Sequence, residues 1–410
     1  MTQFSRKPLL AFQQALQQLL GTVSCELSVK GQPLETALGM VLAENIHSPI
    51  QIPAYTNAAM DGYAFRYADL ENFEFLLVQG QSLAGHPYQG PLPPGCCIRI
   101  MTGAKLPAEL DTVVMQEDVD LTPAGQLRIL REVKSFDHVR MAGSEIAINN
   151  LVLTAGQRLG PLQIGLAATL GYASLPVYRR LKVGVISTGD ELIKPGVPLA
   201  NGQIYDSNRY ILCAMLQRLD VELIDLGWVA DDKDLLTKAF SQAALELDVL
   251  VTSGGVSVGD ADYTRLVLEE LGEVNFWQVA IKPGKPFAFG RLGQCWFFGL
   301  PGNPVSAVLT LDQLAQPALR KLAGEKWSGP MYMKAKATKA FRKKPGRLDF
   351  QRAVVRDVDG QLLVSPVGQD SSGMLSSLAL ANCLMVLEQP RGDVGPDETV
   401  QIQLLSSLFR

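Results

Sequence analysis

Histidine is almost missing from this chain, with three in 410 residues, and the six cysteines (Cys25, Cys96, Cys97, Cys213, Cys295 and Cys383) show no CxxC spacing. Structural zinc needs closely spaced thiolates and imidazoles, so a zinc site is excluded as an organising feature, and the cysteines read as small buried hydrophobes. No uninterrupted apolar run reaches the roughly 18 residues that a membrane-spanning helix requires. Near the start, Phe12, Leu16, Leu19 and Leu20 share one helical face, but the intervening glutamines break any signal-peptide core, so a cytoplasmic protein is expected. An excess of positive charge is lacking too. The formal net charge is -4, which argues against a nucleic-acid-binding surface and confines any anion site to a local pocket.

Apolar residues are abundant. They make up 47% of the chain against 19% charged, enough for several folded units at this length. Between residues 181 and 326 short apolar runs alternate with helical segments, the pattern of a doubly wound α/β domain with a parallel sheet. Its expected strands are LKVGVIS, VELIDLG, DVLVTS, FWQVAI, PFAFGRL and CWFFGL. Helices are expected over 206–219, 232–246 and 262–271, with a last long helix capped by Asn303 and opened by Pro304. Upstream, helices are expected over 8–20, 32–44 and 161–172. The Gly- and Pro-punctuated stretch between them reads as a β-rich lobe (51–139) inserted into a base formed by 1–50 and 140–180. Residues 327–410 alternate as strands, with an Asp359-Gly360 hairpin signal, and read as a small β-barrel or sandwich.

The chemically distinctive residues fall where parallel strands end, and there open α/β sheets bind ligands. STGDEL follows the first strand: Thr188 and Gly189 suit a tight turn projecting Asp190 and Glu191, either as hard-cation ligands or as a helix-start acid pair. In WVADD, Asp231 and Asp232 follow the second strand; one suits a helix cap, and Asp231 is the better site candidate. SGGVSVGDADYT follows the third. Its glycines would let backbone N–H groups approach a phosphate, and Asp260 and Asp262 add metal or ribose contacts, although Asp262 equally suits a cap. IKPGKPFAFG sets Lys282 and Lys285 across a Pro-Gly turn, where two ammonium groups can meet one anion, and GLPGNP ends the last strand with Gly302 before a helix. Together these loops describe a phosphate-and-metal pocket.

As an ordered set, MDGYAF, RIMTGA, TGDEL, SGGVSVGDADYT, IKPGKPFAFG, GLPGNPVSA and PGRLDFQR resemble the MoeA family and the related gephyrin E domain, from about residue 8 to residue 409. The resemblance implies molybdopterin molybdenumtransfer, in which adenylylated molybdopterin and molybdate give molybdenum cofactor and AMP with Mg2+. It implies that Asp190, Glu191, Asp231 and Asp262 serve metal and nucleotide, that Ser253, Gly254 and Gly255 cradle phosphate, and that Thr188, Gly189, Ser257, Gly302 and Asn303 complete the binding loops. Lys282 and Lys285 would hold molybdate, Pro301 and Pro304 would shape the adjacent loop, and Arg347, Arg352 and Ser372 would come from the β domain. Asp61 and Thr102 match family positions facing the active-site cleft. A homodimer is implied as well, working with a molybdopterin adenylyltransferase and with acceptor molybdoenzymes or their chaperones. The sequence departs from the family pattern at Ser144 and Glu145, where a G-E-D motif is usual, and at Thr56 and Ala58 beside Asp61. Two alternatives follow from the same resemblance: a scaffold of the gephyrin E type, or a pterin adenylyltransferase.

Overall fold

The computed structural model describes residues 9–255, 263–367 and 373–409. The chain divides into two compact units, one holding the residues up to Ala43, Gly156–Gly160 and Ser174 onward, the other holding Glu44–Ala155 and Pro161–Ala173.

Within the first unit the α/β domain runs β1 (Lys182–Thr188), α1 (Ser207–Gln217), β2 (Glu222–Val229), α2 (Lys233–Glu246), β3 (Val249–Ser253), α3 (Tyr263–Leu271), β4 (Glu273–Gln278), β5 (Pro286–Leu292), β6 (Cys295–Leu300), α4 (Pro304–Thr310) and α5 (Gln316–Leu322). The strand order is β2-β1-β3-β6-β5-β4. β3 and β6 are buried throughout and β1 nearly so, which is why their sequences are unbroken apolar runs. Helices α2 and α3 bury Leu236, Phe240, Val267 and Leu268 against Ile186, Leu250 and Phe297 on one face. On the other, α1 and α4 bury Leu212, Leu216, Val305 and Leu309 against Val183, Val251 and Phe298.

Two details differ from the sequence expectation. β2, β1, β3 and β6 are parallel, but β5 runs antiparallel to both of its neighbours, β6 and β4. Only Gly293 and Gln294 separate the paired Leu292 and Cys295, and so short a link can make only a hairpin. Asn303 occupies the cap position before Pro304 yet makes no side-chain capping bond, and α4 passes through a π-helical turn (Leu311–Ala315) into α5. The aspartates do cap as their type predicts: Asp206 accepts from Arg209 N at 3.2 Å, and Asp232 accepts from Asp234 N and Leu235 N at 3.0 Å each.

The C-terminal strands β7 (Tyr332–Ala337), β8 (Leu348–Val358), β9 (Gln361–Pro366), β10 (Cys383–Leu387) and β11 (Thr399–Leu404), with helix α6 (Leu375–Leu380) between β9 and β10, pair in the order β8-β9-β7-β11-β10. Pairing of β10 back onto β8 closes a five-stranded barrel around Ala337, Phe341, Val364, Met385 and Ile402. The Asp359-Gly360 hairpin forms as read, with φ of 52° and 80°, the left-handed values a two-residue hairpin turn demands.

Helix Phe12–Thr22 buries Phe12, Ala15 and Leu19 in the α/β core. The helix expected over 32–44 does not form. Val29–Pro33 instead pairs with Ser174–Tyr178, a single 3-10 turn (Leu34–Thr36) follows, and Gly39 at φ 81° turns the chain into further backbone bonds from Leu42 and Ala43. Non-local pairing overrides a modest intrinsic preference.

The second unit contains a six-stranded sheet, including Gly62–Phe65, Cys96–Ile100 and Thr112–Met115, and the helix Pro161–Thr169. Alternate residues fill its two faces, Ala64, Ile98 and Val113 on one and Phe65, Cys97 and Val114 on the other. All six cysteines are unpaired thiols, and burial pushes Cys97, Cys295 and Cys383 up to about 12. Cys96, Cys97, Cys295 and Cys383 are buried, as read, whereas Cys25 and Cys213 are half-buried. Among the described residues no helix is long and apolar enough to cross a membrane.

Candidate active site

Strand register gathers the motifs. Ser187 pairs with Ser253, Ser253 with Leu300, and Thr188 with Val229, so the ends of β1, β2, β3 and β6 lie level and their loops leave from one pole. Gly189 adopts φ 142°, and a Cβ there would sit 2.7 Å from the Glu191 carboxylate. Trp228 Nε1 donates to Gly189 O at 2.6 Å, and Asp231 N donates to Asp190 Oδ1 at 3.0 Å, tying the loop after β1 to the loop after β2. Because Asp232 takes the capping role, Asp231 is left for the site. Burial raises its carboxyl above the ordinary value, and the neighbouring charges of Asp190 and Glu191 raise it further. Three acidic groups therefore meet at this pole. As placed, no group of three His, Cys, Asp or Glu side chains among the described residues is arranged to hold a metal ion. Asp262, with Asp260, Ser257 and Ser372, lies outside the described residues.

The Ser-Gly-Gly turn works by proximity. Gly254 N donates to Leu300 O at 3.1 Å, so this N–H serves the β3–β6 contact rather than facing a ligand. At φ 92°, a Cβ on Gly254 would lie 2.7 Å from the backbone oxygen of Thr188, and one on Gly255 would strike Thr264 at 2.3 Å. Asn208, in the first turn of α1, donates through Nδ2 to Ser253 Oγ and to Gly302 O, each at 2.7 Å. Neither Asn208 nor Trp228 stands out in the sequence; their contacts depend on strand register. Pro301 is buried, Pro304 half-buried, and Gly302 and Asn303 exposed at the end of β6.

The lysine loop joins this pole to the barrel. Ile281–Lys282 forms a short strand parallel to Leu348–Asp349 at the start of β8, which brings IKPGKP beside PGRLDFQR. Gly284, at φ 104°, lies over α4, where a Cβ would meet Thr310 Oγ1 at 2.5 Å. Lys282 Nζ stands 3.4 Å from Asp349 Oδ2, which also accepts from Gln351 Nε2 at 3.1 Å. Lys282, Arg347, Arg342 and Lys344 line a cavity of about 820 Å3 with Asp349 on its wall. The structure thus separates the two lysines: Lys285 is exposed and does not line this cavity. It separates the two arginines as well, since Arg352 is buried with Nε 3.1 Å from Ser377 Oγ in α6, while Arg347 lines the cavity. Residues 347 and 352 differ by an odd number of positions along an extended stretch, a sequence signal that they face opposite ways.

In the second unit, Asp61 and Thr102 do meet. Asp61 Oδ1 accepts from both Oγ1 and N of Thr102 at 2.7 Å each, and these bonds, the hydroxyl first, hold its carboxyl below the usual carboxylate range. Replacing Thr102 with Val removes the hydroxyl donor and is expected to move the Asp61 titration, followed by carboxyl carbon NMR, upward toward its ordinary value. An unmoved titration would contradict the assignment. As the group is depressed, whatever it adds to stability is present above its ordinary pKa and lost as pH falls through the native one. At the positions departing from the family motifs, Thr56 Oγ1 accepts from Ala142 N at 3.2 Å, and Ser144 and Glu145 are exposed.

Residues 184–321 match the model of a probable molybdopterin binding domain, residues 10–171 that of the MoeA N-terminal region (domain I and II), and residues 334–405 that of the MoeA C-terminal region (domain IV). The molybdopterin molybdenumtransferase of Haemophilus influenzae is 45% identical over 98% of this chain and 100% of its own length, and that of Bacillus subtilis is 34% identical over 91% and 89%. A crystal structure of a molybdopterin biosynthesis moeA protein from Pyrococcus horikoshii superposes with a TM-score of 0.83 at 27% identity, covering 97% of this chain and 100% of that one. The chain belongs to the MoeA family of molybdopterin molybdenumtransferases.

Proposed function

We propose that the protein inserts molybdenum into molybdopterin, taking adenylylated molybdopterin and molybdate and releasing AMP. The observation that carries this reading is the meeting, at one end of a single sheet, of an acidic group (Asp190, Glu191, Asp231), a glycine turn after Ser253 and a lysine that opens into a basic cavity. Clustered carboxylate oxygens suit Mg2+, and a divalent cation would offset the neighbouring charges of Asp190 and Glu191 that, after burial, raise Asp231. Asp190, Glu191 and Asp231, which form no ready-made metal site as placed, would hold that ion together with oxygens of the bound substrate, and when bound it would neutralise charge on the anhydride oxygens. Ser253 and Gly255 would border the nucleotide phosphate. Lys282 and Arg347, in a local site of a net-acidic chain, would hold the tetrahedral oxyanion by charge-assisted hydrogen bonds, with Asp349 fixing the Lys282 ammonium. On this reading the protein is a cytoplasmic homodimer that receives its substrate from a molybdopterin adenylyltransferase and passes its product to acceptor molybdoenzymes or their chaperones.

The test is AMP release. It is expected only when Mg2+, molybdate and adenylylated molybdopterin are supplied together. AMP formation independent of molybdate, or consumption of ATP with free molybdopterin, would overturn insertion, the latter in favour of adenylyl transfer.

A further inference from the structure

Asn208 ties two of the strand-end loops together. Its Nδ2 donates to Ser253 Oγ, at the end of β3, and to Gly302 O, in the loop after β6. A backbone carbonyl can only accept, so the amide nitrogen must face these two loops, and its orientation is fixed by chemistry. The other end of the amide is then left behind: Asn208 Oδ1 is buried and has no hydrogen-bond partner among the described residues. A buried carbonyl without a donor destabilises the folded state, and its retention at a site calls for a reason other than packing.

We propose that Asn208 is a positioning residue for nucleotide binding, acting through Ser253 and the Gly302–Asn303 peptide. By donating to Ser253 Oγ it occupies a lone pair of that hydroxyl and turns the O–H toward an incoming anion. By holding Gly302 O it fixes the plane of the next peptide, since a trans peptide is rigid. It therefore sets the spacing between the loops after β3 and β6, which approach closely enough that a Cβ on Gly302 would lie 3.9 Å from Gly254 Cα. The neighbouring loops after β1 and β2 are tied in the same manner by Trp228 and Asp190. This inference rests on the reading of the strand ends as the nucleotide site.

The test is calorimetric titration of the full-length protein with AMP in Mg2+, well below the melting temperature of each variant. Asn208→Ala is expected to weaken AMP binding at least tenfold at full stoichiometry. Asn208→Asp, equal in size but facing the Gly302 carbonyl with an acceptor, is expected to weaken it at least as much. A merely structural role would lower the bindable fraction and leave Kd unchanged. Parent-like Kd in both variants therefore overturns the inference while leaving the nucleotide reading intact, whereas a parent protein that binds no AMP removes both.

Discussion

Lys282→Ala is expected to lower molybdate-dependent AMP release by about a hundredfold or more, the scale observed when one preorganised charge-stabilising donor is removed from an active site. Lys282 is only partly solvated. Its backbone is fixed by pairing with Leu348 and Asp349, and its ammonium stands 3.4 Å from the Asp349 carboxylate, whose side chain is only 3% exposed. The charge reaches the cavity from a fixed direction, so the loss should appear mainly in the dependence on molybdate, with AMP affinity changed little. Removing the cation also disturbs a buried carboxylate. Because the Lys282 side chain is 37% exposed and water screens it, the stability cost should fall well below the 3–5 kcal/mol typical of a fully buried pair. Thermal unfolding run beside the assay separates the two effects. A variant that keeps its melting temperature and its activity would remove Lys282 from the chemistry.

Gly254→Ala should damage the nucleotide half. The left-handed backbone alone strains any L-residue by roughly 1–3 kcal/mol, and the new Cβ would lie 2.7 Å from a backbone oxygen of Thr188 that cannot rotate away. Relief requires β1 and β3 to part at the pole. Since Gly254 N also bonds Leu300 O, β6 is drawn into the shift. AMP affinity is expected to fall by at least tenfold, with a measurable drop in melting temperature. Gly255→Ala should be milder, because its neighbour is the Thr264 side chain, which can move. Equal affinity and stability in Gly254→Ala would show that the turn tolerates the change and that its glycine has another origin.

Local signals carried much of this architecture. Buried strands wrote themselves as apolar runs, Asp206 and Asp232 announced helix starts, and Asp359-Gly360 announced a hairpin. Because parallel sheets place their loops at a common end, the pole where the motif loops gather could be read before any contact was known. What stayed hidden depends on register between distant segments. Lys282 and Lys285 look equivalent in sequence, and only the pairing of Ile281–Lys282 with β8 turns the first into the cavity and leaves the second exposed. Asn208 reads as an ordinary polar residue in a helical turn until β3 and β6 are set beside it. The failed helix over 32–44 has the same origin, a segment whose partners lie more than 100 residues away at Gln157 and Ser174–Tyr178.

Crystals of the protein soaked with AMP, Mg2+ and molybdate test the shared site most directly. The nucleotide phosphate should lie beside Ser253 and Gly255, the cation among Asp190, Glu191 and Asp231, and the tetrahedral oxyanion in the cavity at Lys282 and Arg347. Well-occupied ligands bound away from that end of the sheet, or an oxyanion that ignores Lys282, would contradict it.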